Sequence, residues 1–170
     1  MKELVEICEY DPEWVENYFI EREQVMRVLK DIFVEMEHIG STSVPGLGAK
    51  SLIDMMAGVS DLQDVKQKHI DLLSALGYEY VPKPEFPERL FFRKGEWRAG
   101  THHLHIYKYQ GKAWKNQLAF RNALTSDPGL MKAYDTLKRE LARQFRNDRV
   151  GYTNGKASFI HSVIENASKE

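Results

Sequence analysis

Apolar residues recur along this chain at two spacings, and the change between them marks out the elements. In "LVEICEY", Leu4, Glu6 and Cys8 alternate with Val5, Ile7 and Glu9, a period of two that predicts a short strand. Asp11-Pro12 then reads as an N-cap followed by proline at the first helical position, with Glu13 adding first-turn negative charge. The run that follows places Trp14, Tyr18, Val25, Val28, Leu29 and Ile32 near helical spacing and predicts a long first helix. "FVEMEHIG" returns to alternation, with Val34, Met36 and His38 on one face, and ends at Gly40.

A loop from Ser41 to Lys50 leads to "SLIDMMAGVS", an apolar run short enough for a central strand. Asp61 is placed to cap "LQDVKQKHIDLLSAL", whose apolar stripe stops before Gly77. "YEYV" reads as a strand and "PKPEFPE" as a loop inside one domain. "RLFFRKGEW" and "THHLHIYKY" read as two strands joined as a hairpin across Lys94 to Gly100. After Gly111 the pattern is helical through "AWKNQLAFRNALTS", "DPGLMKAYDTLKRELARQF" and "GKASFIHSVIENAS", with Asp127-Pro128 repeating the cap-plus-proline start. The expected fold is a mixed α/β (α+β) sheet flanked by helices in one domain over 1–170, sheet-containing to about 110 and helical beyond.

Composition narrows the function classes. Lys and Arg number 24 against 25 Asp and Glu, so no overall basic field draws in a nucleic-acid backbone, and nucleic acid is not the expected partner. "RLFFRKGEW" and "IYKYQGKAWK" interleave aromatics with bases, but strand alternation accounts for that pattern more simply than base stacking. No run approaches the roughly 20 apolar residues of a membrane span, and the acidic first residues do not read as a signal peptide, so the expected location is cytoplasmic. Cys8 is the sole cysteine, which excludes an intrachain disulfide and a cysteine zinc cluster; it reads as a small buried hydrophobe.

The chemistry concentrates in "EHIGSTSVPGLGAKSLIDMM". Gly40 permits close backbone approach to a phosphate, Ser41 supplies a hydroxyl, and Asp54 interrupts the apolar strand with a carboxylate suited to a divalent metal. The loop lacks the glycine spacing of a P-loop, and Gly46-Leu47-Gly48 lacks the third glycine of a dinucleotide fingerprint. On composition alone the same stretch is also a turn-rich connection. Together with "THHLHIY", "FRNAL", "YDTLKRELA" and "GKASFI", it resembles the GrpB family, a branch of the nucleotidyltransferase superfamily with members fused to dephospho-CoA kinases. The resemblance runs from about Tyr10 to Ile164. It implies a nucleotidyltransferase-like core with Gly40-Ser41 facing Asp54.

The superfamily pattern sets a second acid two residues after the first, on the same strand face. Met56 stands there, and a thioether does not ligate a hard cation such as Mg2+. His103 and His105, two apart on one strand face, would complete a two-histidine, one-carboxylate set with Asp54, suited to Zn2+ or Mn2+ more than Mg2+. The alternative is that these imidazoles hydrogen-bond Asp54 or a phosphate without a metal. His38 reads as hydrogen-bonded structure. Lys50, Arg93, Arg121, Lys138 and Lys156 are the available cations, and Lys50, Arg93, Lys138 and Lys156 are taken as phosphate-binding.

The expected function is a nucleotidyltransferase-like protein that binds a nucleotide or another phosphorylated ligand with a divalent metal. In it Ser41 and Asp54 form the catalytic pair and the acceptor is unspecified. Two alternatives use the same residues. One is a nucleotide-binding accessory module linked to coenzyme A metabolism; the other is a metal-dependent phosphohydrolase.

Overall fold

Asp11 accepts a hydrogen bond from the backbone N–H of Glu13 (2.9 Å) and, with Pro12, opens α1 (Glu13–Val28). The computed structural model describes residues 4–96 and 99–169. Trp14, Tyr18, Glu21 and Val25 recur every three or four residues, so they form one buried stripe along α1. The stripe lies on a five-stranded sheet of β1 (Phe33–Ile39), β2 (Ile53–Val59), β3 (Tyr78–Tyr80), β4 (Arg89–Glu96) and β5 (Ala99–Lys108), in the order β1-β2-β5-β4-β3. β2 and β5 pair in parallel at the centre, and every other pairing is antiparallel.

Alternation gives the sheet two chemically different faces. Met55, Ala57 and Val59 of β2, Leu104 and Ile106 of β5 and Phe92 of β4 pack against Trp14, Tyr18, Val25 and Leu29, and against Leu73 of α2 (Gln67–Ala75). On the opposite face Ile39, Met56 and Tyr107 pack against Trp114 of α3 (Lys112–Ser126). Asp54, His103 and His105 lie on that second face as well, since Asp54 stands opposite His103 and Met56 opposite His105 in the β2–β5 register.

Two capped helices follow. Asp127 accepts from Leu130 N–H (3.1 Å) at the start of α4 (Pro128–Gln144), and Asp148 accepts from Gly151 N–H (3.0 Å) at the start of α5 (Arg149–Ala167). Their apolar sides enclose Val44, Leu47, Leu124 and Tyr134, with Tyr134 stacked on Phe159 at 5.1 Å. The loop after β1 is thereby clamped onto the helical part of the chain. Among the described residues, no helix is long and apolar enough to cross a membrane.

Four expectations are corrected. "LVEICEY" forms no strand; its one β-bridge joins Cys8 to Ala49. The alternation itself persists, but its inward side is Val5 and Ile7, packed with Leu141, Ala142 and Tyr152, so Cys8 falls on the outward side and is exposed. Asp61 caps a 3-10 turn (Leu62–Asp64) instead of α2, accepting from Gln63 N–H at 2.8 Å, and α2 starts only at Gln67. The last helix begins at Arg149 rather than Gly155. The hairpin between β4 and β5 pairs as expected, Glu96 opposite Ala99, while residues 97–98 of its turn lie outside the described residues.

Candidate phosphate and cation site

β1 ends at Ile39, and Gly40 turns the chain with φ of 72°, a left-handed backbone open to glycine. Ser41–Ser43 then form a single 3-10 turn in which Ser43 Oγ donates back to the Gly40 carbonyl at 2.5 Å, while Ser41 lines a cavity with Asp54 of β2. His38, two residues before Gly40, is structural: its ring stacks on Tyr18 (4.7 Å) and its Nε2 pairs with Thr42 Oγ1 at 2.9 Å. Burial pushes its pKa down to about 4, so it sits neutral at physiological pH.

Asp54 carries the negative charge of the site. Its Oδ1 lies 3.3 Å from His105 Nε2 and 3.5 Å from His103 Nδ1. Burial alone would raise its pKa, but the hydrogen bonds and charge of the two histidines prevail and hold the carboxyl well below the usual range. Burial lowers the pKa of His105, against the pull of Asp54. His105 Nδ1 in turn lies 3.0 Å from Nη1 of Arg89.

Facing Asp54 across the loop is a buried cation. Lys138, 1% exposed, reaches from α4 to donate to Ser41 Oγ at 2.8 Å and to the Gly48 carbonyl. Burial, reinforced by neighbouring Lys156, brings its pKa down to about 7. Lys156 of α5 sits 4.5 Å above the Tyr152 ring, and burial with nearby Lys50 brings it down to about 8. Lys138 is buried and Lys156 half-buried, and the charge of Lys156 disfavours that of Lys138, so an anion beside both would relieve the repulsion. The space exists: Ser41, Asp54, His103, Lys138, Arg149 and Lys156 line a cavity of about 180 Å³.

This cavity shares Lys50, Leu52, His103 and Arg149 with a larger groove of about 740 Å³. Ser41, Lys50, Asp54, His103, Lys138 and Lys156, named from sequence, all meet at the smaller cavity, and Gly40 backs Asp54. Arg93 stands apart: it lines the larger groove and pairs with Glu79 at 3.0 Å. Arg121 is structural, donating to Glu37 (2.6 Å) and the His38 carbonyl (2.9 Å).

Arg149, Tyr152, Thr153 and Arg89 were not anticipated. The first three share the early start of α5. Their signal was the Asp148 N-cap in "NDRVGYT", masked by two helix-weakening glycines, Gly151 and Gly155. Arg89 had no local signal, since its role depends on strand pairing.

Three side chains with ligand atoms gather at Asp54. Asp54, His103 and His105 each offer one donor atom, all within 4.8 Å of one another. Met56 offers none. It is fully buried against Ile39, Tyr107 and Trp114, so the position expected of a second acid belongs to the core.

Relatives of known sequence and structure identify the family and the fold. The GrpB protein family model matches residues 4–166. Glutamate-rich protein GrpB of Alkalihalophilus pseudofirmus is 30% identical over 89% of this chain and 88% of its own length. UPF0157 protein YqkA of Bacillus subtilis is 35% identical over 99% of this chain, which spans 48% of YqkA. The crystal structure of conserved protein GrpB from Enterococcus faecalis superposes with a TM-score of 0.89 at 35% identity, over 96% of this chain and 98% of that one. The GLD-2/RNP-8 complex structure, at 14% identity and covering 92% of this chain and 59% of its own, has a TM-score of 0.56 and shares the fold. So does Cid1 in complex with ApU, at 16% identity, 78% and 42% coverage, and a TM-score of 0.52. The chain belongs to the GrpB family and has a nucleotidyltransferase-like fold.

Proposed function

We propose that this protein binds a nucleotide or another phosphorylated ligand with a divalent cation and transfers a nucleotidyl group to an acceptor. The observation that carries the reading is the pairing of opposite charge across one small cavity. Lys138, hydrogen-bonded to Ser41, and Lys156 stand on one side, and Asp54 with His103 on the other. A polyphosphate needs both: ammonium groups for its oxygens and a carboxylate-held cation for the remaining charge.

In this reading Lys138 and Lys156 hold the outer phosphates, and Ser41 donates to a phosphate oxygen. A cation at Asp54 supplies charge neutralisation when bound. An acceptor hydroxyl oxygen forms a bond to the α-phosphorus and gives up its proton to solvent, while the bond to the bridging oxygen breaks and pyrophosphate leaves with the electron pair. Protonated Lys138 stabilises that leaving group.

A second reading, a nucleotide-binding accessory module linked to coenzyme A metabolism, is favoured by one observation: Met56 is core. Labelled nucleoside triphosphates, Mg2+ or Mn2+ and a small-molecule extract separate the readings. Pyrophosphate with a labelled acceptor, both lost in Asp54→Ala, supports transfer. Tight binding without turnover supports the module, and phosphate release without an acceptor points to a phosphohydrolase.

A further inference from the structure

His105 sits between two groups whose hydrogen-bonding roles leave it no choice. Its Nδ1 faces Nη1 of Arg89 at 3.0 Å, and its Nε2 faces Asp54 Oδ1 at 3.3 Å. A guanidinium only donates, so Nδ1 must accept and carry a lone pair. The ring proton therefore resides on Nε2, where it donates to the carboxylate.

A histidine that ligates a metal donates its other ring N–H to a carboxylate, carbonyl or water. Here the other nitrogen meets a donor. Ligation through Nε2 would require a proton on Nδ1, pointing into the Arg89 N–H. Neither group can readily turn away. His105 is 8% exposed, its ring tilted on Phe91 at 5.2 Å and stacked on Tyr107 at 6.1 Å. The Arg89 guanidinium lies 4.9 Å from the Phe86 ring and 5.5 Å from that of Phe91.

We infer that His105 is a positioning residue and not a metal ligand: Arg89 holds it in the Nε2–H tautomer, so that it orients Asp54. A cation is then left with Asp54 and His103 from the protein, too few ligands for a resident Zn2+ and dependent on oxygens brought by the phosphorylated ligand. This deepens the reading above and rests on it for the cation, but the tautomer does not depend on any reaction.

Two measurements test it on the full chain. Long-range ¹H–¹⁵N correlation of the imidazoles in the wild-type protein should show His105 as the neutral Nε2–H tautomer; an Nδ1–H tautomer overturns the inference. Zn2+ titration of the protein without nucleotide should show Arg89→Met binding at least tenfold tighter than wild type, because His105 is then free to move its proton to Nδ1. No gain, or wild-type Zn2+ binding that falls tenfold in both His105→Ala and His105→Gln, overturns it. Glutamine keeps an N–H for Asp54 and is a poor Zn2+ ligand, so His105→Gln should stay within threefold of wild type. If Arg89→Met does not fold, the tautomer and the two His105 variants decide. A protein with the Nε2–H tautomer that shows no nucleotide binding would sink the proposed function and leave this inference intact.

Discussion

A side-chain carbon on Gly40 would lie 2.7 Å from Oδ2 of Asp54 and 2.9 Å from its Cβ. The glycine is thus the space in which the carboxylate sits, as well as a turn with φ of 72°. Backbone and acid form one unit, the loop leaving β1 accommodating the side chain that β2 presents.

Gly40→Ala should cost stability and position together. The backbone alone, with φ of 72° and ψ of −176°, a region essentially reserved for glycine, accounts for about 1–3 kcal/mol, and the clash displaces Asp54 from His103 and His105. Chemical denaturation should show the loss, and Mn2+-dependent nucleotide binding should weaken by tenfold or more. An alanine variant with unchanged affinity would mean that Asp54 does not contact the cation.

Lys138 and Lys156 predict a pH dependence of binding with a definite sign. Their pKa values are lowered to about 7 and about 8, so the ligand-free protein loses these charges as pH rises through that window. A bound phosphate favours the protonated forms and raises both values. Affinity should therefore be highest below pH 7 and fall by up to about tenfold per pH unit per lysine above it. Calorimetry in buffers of different ionisation enthalpy should record proton uptake near pH 8. Lys138→Met and Lys156→Met should each flatten part of the slope.

The same lysine bears on folding stability. A lysine whose folded pKa lies below its unfolded value of about 10.4 releases its proton more easily when folded, so it opposes folding most at pH below 7. Stability from this group rises as pH climbs from 7 toward 10. Denaturation midpoints for wild type should increase over that range more than those for Lys138→Met. Equal slopes would place the lysine in an unshifted environment.

Met56→Asp, which would place an acid two residues after Asp54, should not create a two-acid site. The side chain is fully buried against Ile39, Tyr107 and Trp114. Burying a carboxylate there should cost about 3 kcal/mol or more, or force the acid to stay protonated. Denaturation measures the cost, and a rise in Mn2+ affinity would contradict the placement.

Asp54→Asn separates charge from shape. The amide keeps the volume beside Gly40 but gives up the stabilisation that the histidines lend the carboxylate, so the melting temperature should fall modestly, while the cation-dependent part of nucleotide binding should disappear. Loss of folding without a change in cation dependence would make Asp54 a structural acid.

Local spacing was enough for a good part of this protein. A period of two in "SLIDMMAGVS" and "THHLHIYKY" determined that Asp54 leaves the strand on a different side from Met55, and that His103 and His105 share a side. Asp11 and Asp127 marked their helix starts because a cap is a contact within three residues. Sequence periodicity also placed Cys8 on one side of an alternation, but which side turned inward depended on α4 and α5, and the choice fell on Val5.

What only the tertiary structure decided involves residues far apart in the chain. The parallel register that sets Asp54 beside His103 is a pairing across 49 positions, and the Lys138–Ser41 bond spans 97. Neither has a local signature, because strand register and helix docking are chosen by the burial of whole faces. The same burial assigned Met56 to the core and brought Arg89 against His105. Spacing put the two imidazoles on one side of β5 and Asp54 on one side of β2; packing brought those sides together and settled which of their neighbours are charges and which are rings.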